Sequence, residues 1–106
     1  MDPVLDEALK RLVRVFSPSK VLLFGSRATG KASSDSDYDL LLVIPSSTEK
    51  RYRRMKRAQS ELWGIPASFD VIVLTEEEMK ESTSHPSSLA SVALAKGRDL
   101  LPVDRF

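Results

Sequence analysis

Three short runs of apolar residues place the tightest limit on the fold of this chain. They occupy residues 21–24, 40–44 and 69–74, and only Asp70 interrupts the third. Runs of this length are typical of strands that are buried on both faces of a sheet. Segments with helical spacing lie before, between and after them. We therefore predict an α/β (α+β) fold, a small mixed β-sheet of three or four strands packed against helices.

The flanking segments have recognisable helix signals. Residues 2–16 place apolar side chains at helical spacing, with Asp2 as a cap and Pro3 in the first turn. Residues 46–49 offer caps for a second helix, and Thr75 with Glu78 forms a capping box for a third. We expect the inward stripe of the second helix to contain Tyr52, Met55, Gln59 and Leu62.

The end of the chain predicts one more helix and one more strand. Residues 89–95 have a helical pattern that Gly97 should end. Residues 98–103 are expected to form a short edge strand. The only histidine, His85, lies in a polar loop and is expected at the surface. We expect Trp63, at a helix end, to pack in the core or at its edge.

Composition narrows the class of protein. The 106 residues are expected to form a single domain over 1–106, with 42% apolar and 29% charged residues and a net charge of +1. The absence of cysteine excludes disulfides and thiolate metal sites. No apolar stretch approaches the length of a membrane span, and the N-terminus lacks a signal-peptide pattern. A cytoplasmic protein without a membrane partner is the resulting expectation.

Acidic side chains stand at the mouths of two predicted strands. Side chains alternate along a strand, so Asp37 and Asp39 should point the same way, with Tyr38 packed on the opposite face. Asp70 joins them if the two strands are neighbours. Carboxylates this close repel each other strongly, and a divalent ion such as Mg²⁺ matches their hard oxygen donors. Two ions bridged by these acids would form a clamp for displacement at phosphorus.

The loop before these acids could hold a phosphate group. Gly25 follows the first strand and allows close approach of a ligand to the backbone. Ser26 adds a hydroxyl, and a turn of helix opening there would present N–H groups to an anion. Gly30 helps to keep the loop compact. A phosphate cradle followed by metal ligands suggests a nucleoside triphosphate as substrate.

The spacing of these elements resembles a known signature. Gly25-Ser26, ten residues, then Asp37-Tyr38-Asp39 resembles the GSx10DxD motif of the DNA polymerase β nucleotidyltransferase superfamily. The string GSRATGKASSDSDYDLLLV is similar to its smallest branch, the minimal nucleotidyltransferases. The resemblance extends over nearly the whole chain, including Asp70 and the closing GRDLL.

The resemblance implies a role for each site residue. Gly25 and Ser26 would hold the terminal phosphates of ATP, and Arg27 would contact phosphate. Asp37, Asp39 and Asp70 would be the catalytic acids and would bind two Mg²⁺ ions. The activity implied is transfer of AMP from ATP to an acceptor hydroxyl, as in a protein adenylyltransferase.

The resemblance also implies a partner. Family members of this size resemble the antitoxin half of toxin–antitoxin pairs of the type VII kind, in which the other half is a helical HEPN protein. The acceptor hydroxyl would then lie on that partner, plausibly on a tyrosine. Two alternatives stay open from the residues. One is a non-catalytic module that neutralises its partner by binding, and the other is a nucleic-acid-binding protein that uses the basic helix 50–57.

Ordinary structural explanations exist for each motif taken alone. Gly25-Ser26 could be a capped turn, Asp37 and Asp39 a solvated loop, and Asp70 half of a salt bridge. The run 50–57 carries six basic side chains, which could form a solvated helix face or attract RNA, a nucleotide or an acidic partner.

Overall fold

The computed structural model describes residues 2–31, 33 and 36–101 of the chain. In this part a four-stranded mixed sheet has the order β3-β2-β1-β4. β2 and β3 are parallel, whereas β1 pairs antiparallel with both β2 and β4. The predicted mixed α+β fold is confirmed. The strands are β1 Lys20–Phe24, β2 Tyr38–Ile44, β3 Phe69–Thr75 and β4 Arg98–Asp99.

Five helices accompany the sheet within the described residues. Asp2 caps the first helix by accepting from the Val4 and Leu5 amides, and Thr75 and Glu78 form the predicted capping box of the fourth. Along the described part of the chain, no helix has both the length and the apolar character needed to cross a membrane. The helices are α1 Pro3–Phe16, α2 Ser26–Thr29, α3 Arg51–Glu61, α4 Glu76–Thr83 and α5 Leu89–Lys96.

The helices cover the two faces of the sheet. Alternate residues of β2 enter two separate apolar clusters, as the strand period requires. Tyr38, Leu40 and Leu42 pack with α1 and α3. Leu41 and Val43 pack with α4 and α5 on the other face. This arrangement explains the unbroken apolar run of β2, because both of its faces are buried.

The prediction for α3 was wrong in two respects. Its N-cap is Lys50, whose side chain makes no capping hydrogen bond, so residues 46–49 do not cap it. Its inward face consists of Arg54 and Ala58, with Leu62 buried at the C-cap as predicted, whereas Tyr52 is 59% exposed. Arg54 is buried because its guanidinium is fully used: it donates to Glu78 at 2.7 and 3.0 Å and to the Val73 carbonyl at 2.7 Å.

The end of the chain agrees with its prediction in part, because the edge strand covers only Arg98–Asp99 and does not continue through the described residues 100 and 101. Gly97 is the C-cap of α5, and Arg98 and Asp99 pair with Leu23 and Leu22 of β1. A Cβ at Gly97 would clash with the carbonyl of Ala93, so glycine allows this close approach. The predicted strand residues 102–103 lie outside the described residues.

Candidate active site

The parallel pairing of β2 and β3 brings two of the predicted acids together. Asp39 and Asp70 are direct partners in the strand register, and the next partners are Leu40 with Val71. Side chains at paired positions lie on the same face, here the face that α4 and α5 cover farther along the strands. The sequence left open whether the second and third predicted strands are neighbours, and the sheet places them side by side.

Asp39 sits in an unfavourable electrostatic environment. Burial raises the pKa of its carboxyl, and the negative charges of Asp70 and Asp37 raise it further. No basic side chain of the described residues contributes to this shift. Asp37 precedes the first residue of β2 and is exposed, so it approaches Asp39 from the loop and not as part of the strand.

Gly25 is the residue against which Asp39 packs. Its backbone has φ 74° and ψ −158°, a region that is essentially restricted to glycine. A Cβ at this position would fall far inside van der Waals contact with Asp39 Oδ2. Phe24, the preceding residue, is the β1 partner of Asp39. Glycine is therefore needed here for the backbone conformation and for the space that the Asp39 carboxylate occupies.

The predicted helical turn at Ser26 is present. α2 begins at Ser26 with Gly25 as its N-cap, and it ends at Gly30, whose φ is 78°. The Ser26 carbonyl accepts from the Lys31 amide at 3.1 Å and from the Thr29 hydroxyl at 3.2 Å. The first amides of this turn therefore open beside Gly25 and the Asp39 carboxylate.

Arg27 lies on the opposite side of β2 from Asp39. Its guanidinium carbon is 3.8 Å from the centre of the Tyr38 ring, and its Nε donates to the Ser36 carbonyl at 2.9 Å. Arg27 thus connects the start of the loop to the residue before Asp37. A contact between Arg27 and phosphate stays a prediction. To make it, the guanidinium would have to leave the Tyr38 ring.

Tyr38 is packed away from the acids, as predicted. It is 5% exposed, its ring stacks on Phe69 with centroids 5.2 Å apart, and its hydroxyl donates to Asp2 Oδ2. Burial raises the pKa of the Tyr38 hydroxyl, and the hydrogen bond to Asp2 adds to this. These contacts connect the beginning of β2, where Asp39 lies, to the N-terminus of α1.

The acids do not form a complete metal cage by themselves. Among the described residues, no group of three or more aspartate, glutamate, histidine or cysteine side chains is arranged to hold an ion. The donor chemistry nevertheless fits a hard divalent cation, because Asp39 repels two neighbouring carboxylates without a basic partner. Asp39 and Asp70 would provide the fixed ligands and exposed Asp37 would complete them.

Sequence reasoning missed three features near the site. The Trp63 side chain is 85% exposed, so the expectation that it packs in the core was wrong. The stacking of Arg27 on Tyr38 and the bond from Tyr38 to Asp2 were not foreseen either. No local pattern marks these contacts, because the partners are up to 36 positions apart.

A glycine turn that opens a helix beside paired carboxylates offers N–H donors to phosphate oxygens and oxygen ligands to a divalent ion. The family model for the nucleotidyltransferase domain matches residues 5–97, and the chain belongs to this family. The chain therefore has the domain of a nucleotidyl-transferring enzyme. Members of the family usually use a nucleoside triphosphate and a divalent metal ion.

A solved structure supports the assignment. The chain is similar to a proposed nucleotidyltransferase from Sulfolobus solfataricus, with a TM-score of 0.58 and 29% identity over 74% of this chain and 69% of that one. Among curated proteins, none matches this sequence. This similarity supports the fold and the nucleotidyltransferase class, and it does not identify the acceptor of the nucleotide.

Proposed function

We propose that this protein is a Mg²⁺-dependent nucleotidyltransferase that transfers AMP from ATP to an acceptor hydroxyl. The observation that carries the proposal is the register pair Asp39–Asp70 beside Gly25, in which burial and then two other acids raise the pKa of Asp39 and no described basic group lowers it. Such a site is unfavourable on its own and becomes favourable with cationic and phosphate ligands.

The proposed reaction assigns each residue a task. Gly25 and the first amides of α2 bind the terminal phosphates, and the Ser26 hydroxyl donates to them. Asp37, Asp39 and Asp70 hold two divalent ions, which supply charge neutralisation at the reacting phosphate. Asp70 assists in removing the acceptor proton. The acceptor oxygen bonds to the α-phosphorus, the bond to the β-phosphate oxygen breaks, and pyrophosphate leaves.

The acceptor is proposed to be a hydroxyl on a HEPN-type protein partner, with this chain as the antitoxin. Exposed apolar side chains on α5 support a protein partner: Leu89 and Val92, one helical turn apart, are 49% and 42% exposed. α5 packs on the sheet through Ala90 and Ala93, on the face on which Asp39 lies. A partner bound there would be close to the acids. ATP as donor favours the cytoplasm as the location.

A transfer assay tests the proposal. The protein is incubated with Mg²⁺, ATP labelled on the α-phosphate and a purified HEPN-type protein as the partner. We expect label on that partner, and we expect the label to disappear with Asp39→Asn or with chelation of the metal. Glu77→Gln, an exposed acid outside the site, is the matched control and should transfer normally.

The same assay tests the non-catalytic alternative. If Asp39→Asn still neutralises the partner and no label is transferred by either form, the protein acts by binding alone. Label that persists in Asp39→Asn would contradict the proposed site. Substitution of Leu89 and Val92 by serine should weaken partner binding without affecting the binding of Mg²⁺ and ATP.

A further inference from the structure

The outward face of α3 carries basic side chains that the fold does not use. The guanidinium of Arg54 is bound by its buried contacts, and Arg57 pairs with Glu49 at 2.5 Å. Three other cations make no ion pair within the described residues: Lys50, Arg53 and Lys56. A cleft of about 420 Å³ is lined by Arg53, Lys56, Arg57, Ser60 and Glu49. The guanidinium of Arg57 is held in place 4.4 Å above the Phe16 ring.

The charge of this surface differs from that of the remaining chain. Residues 50–57 carry six basic and no acidic side chains. The other residues hold ten basic and 15 acidic side chains, so their net charge is −5. Because the balance of the whole chain is near neutral, the basic character is local, and a complementary partner is a polyanion.

Two exposed aromatic side chains accompany this basic segment, Tyr52 within it and Trp63 just after the end of α3. Tyr52 and Lys56 are four residues apart on one helix face, and Ser60 follows one turn later. The Trp63 amide donates to the carbonyl of Ser60, a residue that lines the cleft, at 3.3 Å, so the backbone of Trp63 lies beside the cleft. Tyr52 is 59% and Trp63 is 85% exposed. Both rings have a face open for stacking, and the guanidinium carbon of Arg53 lies 5.8 Å from the centre of the Tyr52 ring.

From these observations we propose that the exposed face of α3, with Trp63, binds single-stranded nucleic acid. The phosphates of the strand bind to Lys50, Arg53 and Lys56, the cations of this face that make no ion pair within the described residues, and unpaired bases stack on Tyr52 and Trp63. Every base has a π-face, so this recognition tolerates different sequences. The surface does not include the acids or Gly25, and the proposal is therefore independent of nucleotidyl transfer.

The aromatic side chains favour a single strand over other polyanions. An acidic protein would satisfy the cations but has no planar bases for Tyr52 and Trp63, and a duplex keeps its bases stacked inside. The basic face is one helix with a shallow cleft, which suits a flexible backbone. Acidic polypeptide and duplex binding are therefore the competing outcomes of the test.

The single tryptophan of the chain gives a direct assay. A 12-nucleotide oligouridylate, or its deoxythymidylate equivalent, is titrated into the full-length protein without Mg²⁺, and Trp63 fluorescence is followed. We expect quenching as bases stack on the ring. With three phosphate contacts, the affinity should fall roughly 20-fold between 50 and 200 mM salt, a log–log slope of about −2.

Matched variants locate the surface. Arg53→Gln with Lys56→Gln should reduce the salt slope to about −0.7, so that the same salt change costs roughly threefold. Lys80→Gln with Lys96→Gln removes the same charge from exposed positions on α4 and α5 and should retain the normal slope. Trp63→Ala should weaken binding roughly fivefold or more, measured with a labelled strand, and Trp63→Phe should restore most of it.

Several results would overturn the proposal. Absence of quenching would exclude stacking on Trp63. Equal salt slopes for the two double variants would show that the α3 cations are not the site. Binding of polyglutamate or of a duplex as tight as that of the single strand would assign the surface to another polyanion. The Asp39→Asn protein should bind the single strand normally. Loss of binding in this variant would show that the strand binds at the acidic site and not on α3.

Discussion

The ion pair between Arg54 and Glu78 allows a sharp prediction about stability. Arg54 is 3% exposed and donates to both oxygens of Glu78, which joins α3 to the start of α4. The hydrogen bonds from Arg54 lower the pKa of Glu78 from 4.5 to about 2. A lowering of this size corresponds to about 3 kcal/mol of folding free energy. Because the pKa is lower in the folded protein, this contribution is complete above pH 4.5 and is lost as the pH falls towards 2.

Glu78→Gln isolates the charge from the rest of the local structure. Glutamine can retain the capping box, in which Glu78 Oε1 accepts from the Thr75 amide at 2.8 Å. The substitution leaves the buried guanidinium of Arg54 without its counter-charge. We expect a loss of about 2–3 kcal/mol in the free energy of unfolding at pH 7. The measurement is denaturant unfolding of both forms at several pH values from 7 to 2.5.

The difference between the two proteins is the decisive quantity. Other carboxyls titrate equally in both forms, so the difference should shrink steadily below pH 4.5. Glu77→Gln removes the same charge from the same helix turn at an exposed position and should cost less than 1 kcal/mol. A difference that stays constant down to pH 2.5, or a Glu78→Gln protein as stable as the original at pH 7, would refute this reasoning.

Three further predictions concern the site. Gly25→Ala should displace the Asp39 carboxylate and lower both Mn²⁺ affinity and transfer by at least tenfold, whereas a protein with unchanged Mn²⁺ affinity would contradict the packing argument. Asp70→Asn should abolish transfer and lower the pKa of Asp39 in an NMR titration. It should also raise the free energy of unfolding at pH 7 by up to about 1 kcal/mol. An unchanged pKa of Asp39 would show that the two carboxylates do not interact. Tyr38→Phe should lose the bond to Asp2 and about 1 kcal/mol of unfolding free energy, with the Arg27 contact retained, and equal stability in chemical unfolding would argue against that bond.

The sequence predicts the parts of the fold that depend on local patterns. The runs at β1, β2 and β3 identify buried strands because both faces of each are covered, and Thr75 with Glu78 identifies the start of α4. The pairing of Asp39 with Asp70 was expected only if two strands were neighbours. The sheet register shows that the two strands are neighbours. No local sequence pattern indicates which strands pair.

The failures arise where long-range contacts override periodicity. Arg54 lies in a row of basic residues, and its neighbours in sequence give no sign that it is buried. Its burial depends on Glu78, 24 positions later, and on the Val73 carbonyl. Once Arg54 points inward, Tyr52 must point outward, because the two positions lie on different sides of a helix. One distant ion pair therefore shifts the inward face of α3 towards Arg54 and Ala58, although Leu62 is buried as predicted.

The contrast between the two acidic sites supports a functional role for the acids of β2 and β3. Glu78 is stabilised by an arginine of the fold, which lowers its pKa to about 2. Asp39 is partly buried beside Asp70, its pKa is raised, and Arg27 lies on the other side of the strand. The chain thus neutralises one partly buried carboxylate internally and leaves the other with only like charges near it. A fold selected for stability alone would gain by replacing Asp39 with an uncharged residue. Its presence against Gly25 is explained if a cation and a phosphate group complete the site.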